Sequence, residues 1–211
     1  IGRAAGGTNQ DSSSIAIGLD TAARNQGGSS IAIGVSAASD SQGDYGIAIG
    51  WHAGRDEQGF NSVAMGWQAG RDSQGELSIA LGSNSARSSQ GVRSVSIGDS
   101  AGRNNQGDTS VAVGSRAGRL NQGVSSVAVG LLAGEDNQGD NGIIISSNGL
   151  AVDDTTAGHI HIASDDGSID FTTASGFSVT GGNFSSPSYK NVAITNNGNG
   201  ATPPVSVFVN D

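Results

Sequence analysis

The sequence predicts an all-β fold: a parallel solenoid of 16-residue coils over residues 1–148, then an irregular β module over residues 149–211. Three observations carry this. A strand-ending glycine recurs at Gly2, Gly18, Gly34, Gly50, Gly66, Gly82, Gly98, Gly114 and Gly130 without a slip, and a fixed period this short marks a stacked repeat. A glutamine keeps the same step, from Gln10 and Gln26 to Gln122 and Gln138. The residues before each glycine alternate, as in Ser126-Val127-Ala128-Val129-Gly130, which is the period-two pattern of a short strand.

The elements of one coil follow in order. Val127 and Val129 share one face of the strand and Ala128 takes the other. Gly130 ends the strand where the backbone turns. Leu131 and Leu132 lead into Ala133-Gly134, a small pair that recurs as Ala53-Gly54, Ala69-Gly70, Ala101-Gly102 and Ala117-Gly118 and allows close backbone approach. The polar stretch Glu135-Asp136-Asn137 runs into Gln138-Gly139, where glycine suits a positive-φ turn position. Sixteen residues thus hold two short strands and two turns. Parallel stacking at about 4.8 Å per coil gives roughly nine coils a length of about 43 Å.

Each residue column becomes a ladder, and the glutamine amides are expected to bond from coil to coil. The interior is expected to hold the two or three branched residues of each coil together with alanine. Burial at about 25 cal/mol per Å² must offset about 1–2 kcal/mol of backbone entropy per residue. So thin a core falls short of that alone, so the flat Ala and Gly columns are expected to pack against identical chains.

Bulk properties narrow the classes. Glycine is abundant, at 35 residues, but without a three-residue period, which excludes collagen. With no cysteine, a disulfide framework is excluded. A net charge of −9 argues against a nucleic-acid or anionic-lipid partner. No apolar run reaches membrane-spanning length, so membrane insertion is not expected. The chain opens at Ile1-Gly2, inside a repeat and without an initiator Met, and reads as a fragment or processed piece.

The repeat pattern fails at Ile143-Ile144-Ile145, where Ser146 replaces the glycine and the glutamine column stops. Short alternations then appear at Leu150/Val152, Ile160/Ile162, Ile169/Phe171, Phe177/Val179, Val192/Ile194 and Val205/Val207/Val209. Turn signals such as Asp165-Asp166-Gly167 and Gly181-Gly182 separate them. They predict further strands in a second β module.

Three groups of side chains carry chemistry. His159 and His161 flank Ile160, so both imidazoles project from one strand face. That is two metal ligands in one chain and six around a threefold axis; the competing reading is a solvated face with Ile160 and Ile162 buried opposite. Arg24, Arg55, Arg71, Arg87, Arg103 and Arg119 are read as a column whose charges repel unless carboxylates intervene. Asp56 and Asp72 are adjacent in sequence, with Asp44, Glu76 and Asp108 on a neighbouring turn. Structural ion pairing is the expectation and an anionic-glycan track the alternative. Tyr45, Trp51, His52, Phe60 and Trp67 concentrate in adjacent coils and are the receptor-binding candidates, with local packing as the alternative. There is no nucleophile elbow, and coils this short leave little room for the opposed carboxylates of glycan cleavage. A non-enzymatic role is expected.

The segment Ser126-Val-Ala-Val-Gly-Leu-Leu-Ala-Gly134 resembles the head repeat of YadA-type trimeric autotransporter adhesins. Asn-Gln-Gly turns such as Asn121-Gln122-Gly123 are similar to those in repeats of phage and other viral fibres. The resemblance covers Ile1 to about Ile145. It implies a left-handed parallel β-roll with three chains side by side, a homotrimer, and with it a module over residues 149–211 whose strands are interleaved among three chains. The likeness to phage fibres implies a transition metal, iron foremost, held by His159 and His161 on the trimer axis as a structural clamp. The period is longer than in the adhesin heads, and residues 1–211 are read as containing none of the neck, coiled-coil stalk or membrane-anchor segments of an autotransporter. The expected function is therefore that of a structural and adhesive segment of a trimeric viral fibre, a phage tail or head fibre. It is placed at the virion surface, extracellular, against other virion proteins and a host-cell glycan or protein receptor. The alternative is the head domain of a bacterial trimeric autotransporter adhesin at the bacterial cell surface, and the third class is a glycan-degrading tail spike.

Overall fold

The computed structural model describes residues 1–146 and 153–163. They form an all-β parallel solenoid of about nine coils. Each regular coil gives one three-residue strand to each of two sheets, as in Ile47–Ile49 and Asp56–Gln58. One sheet has eight strands, from Thr8–Gln10 to Leu120–Gln122, and the other ten, from Ile15–Ile17 to Ile160–Ala163. Pairing is parallel and in step with the repeat, so Ile79, Val95, Val111 and Val127 stand in one column and Gln74, Gln90, Gln106 and Gln122 in another. The turns are bonded from coil to coil as well: Gly66 N donates to Ile49 O at 2.9 Å and Gln68 N to Trp51 O at 2.9 Å.

Left-handed backbone closes the coil. Within a single coil His52, Gly54, Glu57 and Asn61 have φ of 54°, 50°, 54° and 52°. Three of these carry a Cβ in a region that L-residues enter at a cost, and the inter-coil hydrogen bonds hold them there. The strand-ending glycines are wider still, with φ of 131° at Gly50 and 132° at Gly66, a conformation that glycine alone adopts readily.

The interior differs from the sequence expectation. Alanine, not the branched residues, fills it: Ala32, Ala48, Ala64, Ala80, Ala112 and Ala128 are fully buried. Their neighbours Ile47, Ile49, Val111 and Val113 face outward and are half-buried. The reason is width. A regular coil built from three-residue strands encloses room for methyl groups, hydroxyls and one amide, and larger side chains leave it; Ile144, in register with Ala128 at the end of the repeat, is a buried exception. The amide is the glutamine ladder: Gln90 Nε2 donates to Gln106 Oε1, Gln106 to Gln122 and Gln122 to Gln138, each at 3.2 Å. Each Nε2 also reaches a strand carbonyl, as from Gln106 to Val95 O at 2.9 Å. Ser78 Oγ donates to Gly75 O at 2.6 Å and Ser110 Oγ to Gly107 O at 2.7 Å. The core is therefore hydrogen-bonded as much as apolar, and most of its buried polar groups find partners; Gln26 Oε1 and Gln42 Oε1 are buried without one.

The glycine after each glutamine also differs. Gly75 and Gly107 have no positive φ. They are glycine because the next coil passes too close for a side chain. A Cβ on Gly107 would stand 2.6 Å from the Gly123 carbonyl carbon, and one on Gly75 would meet the Gly91 backbone.

The larger sheet outlasts the repeat. Ile143–Ser146 pairs with Val127–Val129, and Ile160–Ala163 then pairs with Ile143–Ser146. In that last step Ile143 stands opposite Ile160, a spacing one residue longer than the repeat. The strand expected at Ile160/Ile162 is thus present. The alternations expected at Leu150/Val152 and beyond Ile169 lie outside the described residues.

Candidate functional site

The five aromatic candidates fall at two places. Trp51 and Trp67 each follow a strand-ending glycine, on the turn from the ten-stranded to the eight-stranded sheet. Their rings stack with centroids 5.4 Å apart and planes 8° from parallel. His52 stacks on Trp51 at 3.6 Å. Tyr45 and Phe60 lie on the opposite turn, where the eight-stranded sheet returns to the ten-stranded one, and meet edge to face at 5.7 Å. Neighbouring coils bring like positions together, so residues close in sequence separate when they belong to different turns.

The tryptophans continue a column of exposed apolar residues that begins at Leu19 and Val35; after them the column turns polar, with Ser83, Asp99 and Ser115, before Leu131. The arginine column runs beside this turn. Arg55 pairs with Asp56 and reaches Asp72 at 3.4 Å. Arg71 Nε donates to Asp72 at 2.8 Å, and Arg119 pairs with Glu135 at 2.9 Å and Asp136 at 3.1 Å. Ion pairing is thus the state of these three. Arg24 does not belong to the column. It stands one position on, in register with Asp40, and pairs with it at 3.4 Å. Asp44 and Asp108 do not serve the arginines either. They accept from turn amides, Gly28 N at 2.9 Å and Val92 N at 2.8 Å.

Arg87 and Arg103 differ from the rest. Among the described residues neither has an ion pair, because Ser88 and Asn104 replace the aspartates of earlier coils. The Nε atoms of both, like that of Arg119, are buried without a hydrogen-bond partner, so it is the missing ion pair that sets the two apart. Burial, then the charges of Arg71 and Arg103, lower the Arg87 pKa. By contrast the hydrogen bond to Asp56 raises that of Arg55. Burial would push the Asp72 carboxyl up, but the Arg71 hydrogen bond and charge, with Arg55 and Ser88, hold it below the ordinary value. His52 is lowered by burial and then by Arg55 and Arg71, which favours the neutral ring. This electrical contrast along one column was readable in the sequence as the change from Asp56 and Asp72 to Ser88 and Asn104, but was not singled out there.

The histidine pair sits at the end of the described stack. His161 stands in register with the buried Ile144, so the pair continues the interior columns, while Ile160 and Ile162 continue the outward branched columns. Ile160 and Ile162 are exposed in the single chain rather than buried. His159 Nδ1 lies 2.8 Å from Asp154 Oδ2. Among the described residues no group of three or more His, Cys, Asp or Glu side chains converges on a metal position, so within them the pair offers two imidazoles, fewer than a closed site requires.

No protein-family model matches the chain, and comparisons with curated proteins and with solved structures find no match.

Proposed function

We propose that the chain is a structural and adhesive segment of a homotrimeric viral fibre, a phage tail or head fibre, that takes part in host attachment at the virion surface. The observation that carries this is the outward face of the ten-stranded sheet. Every strand turns two large apolar side chains out, among them Ile47 and Ile49, Ile79 and Leu81, Val111 and Val113, and Ile143 and Ile145. A continuous strip of this kind is out of place on a lone chain in water. Three chains around one axis cover the strip on each of them, and this supplies the apolar burial that the alanine and glutamine interior lacks. Such a rod holds a receptor-binding surface away from the particle.

Light scattering on purified protein tests the assembly: three chains per particle are expected, and a stable, folded monomer at micromolar concentration overturns the reading. Attachment of the labelled protein to a panel of host cells tests the adhesive part. The reading also places a transition ion, iron first, among the His159 and His161 side chains of three chains. Elemental analysis finding about one metal per three chains supports that, and a stable metal-free trimer removes it. The same apolar strip also suits the head of a bacterial trimeric adhesin, and a membrane-anchoring β-barrel encoded further along the same gene would favour that alternative.

A further inference from the structure

We propose that the column running from Trp67 through Ser83 and Asn84 to Arg87 and Arg103 binds an anionic saccharide, a sugar ring bearing a carboxylate or a sulfate. This deepens the attachment reading and rests on it. Trp67 ends the aromatic stack: Trp51 lies against one side of it, and the next coil offers only Ser83 at the equivalent position. Its indole is 48 % exposed, the more open of the two tryptophans. An uncovered indole face takes the C–H face of a sugar ring. Ser83 and Asn84 bond to each other at 3.2 Å and keep spare donors and acceptors for sugar hydroxyls.

The charge for the anion follows directly. Arg87 and Arg103 stand one coil apart, about 4.8 Å along the stack, with no carboxylate paired to either. The earlier arginines are neutralised by Asp56 and Asp72, and the later Arg119 by Glu135 and Asp136. The shortage of counter-charge is therefore local to two coils of a chain whose net charge is −9. The repeat supplies the proximity. His52 occupies the position of Asn84 two coils earlier and lies within the field of Arg55 and Arg71. Carried along the stack, the same geometry sets Asn84 beside Arg87 and Arg103. Guanidinium groups accept carboxylate and sulfate oxygens in a two-pronged pair. A bound anion would offset the charges of Arg71 and Arg103, which act on Arg87 after the larger effect of burial.

The chain has two tryptophans, Trp51 and Trp67, so its indole emission reports on this column alone. The full chain in its native assembly is titrated with sialyllactose, trigalacturonate and sulfated lactose, with lactose as the neutral control. At least one anionic sugar is expected to give a saturating change, about tenfold tighter than lactose and weakened by salt. Arg87→Gln with Arg103→Gln is expected to remove the preference for the anionic sugar. Arg55→Gln, whose charge is already paired, is expected to keep it. Trp67→Ala is expected to abolish binding measured by calorimetry, with circular dichroism confirming the fold of each variant. No response to any of the three anionic sugars overturns the site, as does a preference that survives loss of both arginines. Host-cell attachment of the unaltered protein, measured alongside, separates the two readings. Attachment without a saccharide response overturns this site alone, and saccharide binding without attachment overturns the attachment role alone.

Discussion

A Cβ on Gly75 would meet the backbone of Gly91 in the next coil, whereas one on Gly28 would find its nearest atoms at 3.8 Å. Backbone in a stacked coil has nowhere to move. Gly75→Ala is therefore expected to lower the stability by roughly 1–3 kcal/mol, and Gly28→Ala to leave it unchanged or slightly raised. Urea denaturation of the two variants checks this, and equal midpoints would sink the close-approach account. His52 and Asp72 make stability depend on pH in one direction. Both are depressed in the folded chain, so the unfolded chain binds protons more readily. Their stabilisation is complete above the ordinary values of 6.5 and 3.8. It is lost as pH falls, first through the lowered pKa of His52 and then through that of Asp72. Thermal melts across this range are expected to show both steps, and His52→Gln to remove the upper one. Some of this scale was legible in the sequence. Counting alone places Arg24 one residue out of phase with Arg55, and Tyr45 on a different turn from Trp51. The steric demand at Gly75 was not legible, because glycine serves positive φ and close approach alike and the letter does not say which.

The elements are strands of three residues, and their shortness decides which side faces in. Alternation announces two faces, but here both are apolar, alanine on one and branched residues on the other. Hydrophobicity therefore could not choose between them. Coil width chooses, and it follows from strand length plus two tight turns rather than from residue type. Ala112→Leu and Val113→Glu test this from neighbouring positions. The first overfills the interior and is expected to cost about 1–3 kcal/mol or more per chain, seen as lost sheet signal and early melting. The second leaves the coil intact and places a charge in the outward strip that the proposed trimer would cover, so the expected outcome is retained sheet structure with smaller particles in light scattering. Intact assembly in Val113→Glu would place the contact between chains on some other face.

The whole molecule was the most legible level, because a period without slips fixes the number of coils and the parallel pairing together. What the pattern hid was the continuation past Ser146. Sheet pairing is made by backbone groups and survives the loss of the side-chain pattern, as the pairing of Ile143–Ser146 with Ile160–Ala163 shows. A register-preserving deletion exploits the same property. Removing residues 83–98 joins Gly82 to Asp99 in the order found between any two coils. The product is expected to fold and to be shorter by about 4.8 Å in solution scattering. Removing residues 83–90 instead shifts the glutamine and alanine columns out of phase and is expected to abolish cooperative melting. Equal melting of the two would contradict a stack held by column matching.

The hydrogen bonds of both strands and turns join one coil to the next, as at Gly66 to Ile49 and Gln68 to Trp51, so they point along the rod. In the proposed attachment role the load would run in that direction. Tension applied evenly across the end of the rod falls on all the bonds between two coils at once, and they share it. Tension applied to a single chain end loads them one after another and unwinds the rod coil by coil. The same ladder is therefore strong as a cable and weak as a thread, and where force enters the molecule decides which of the two it is.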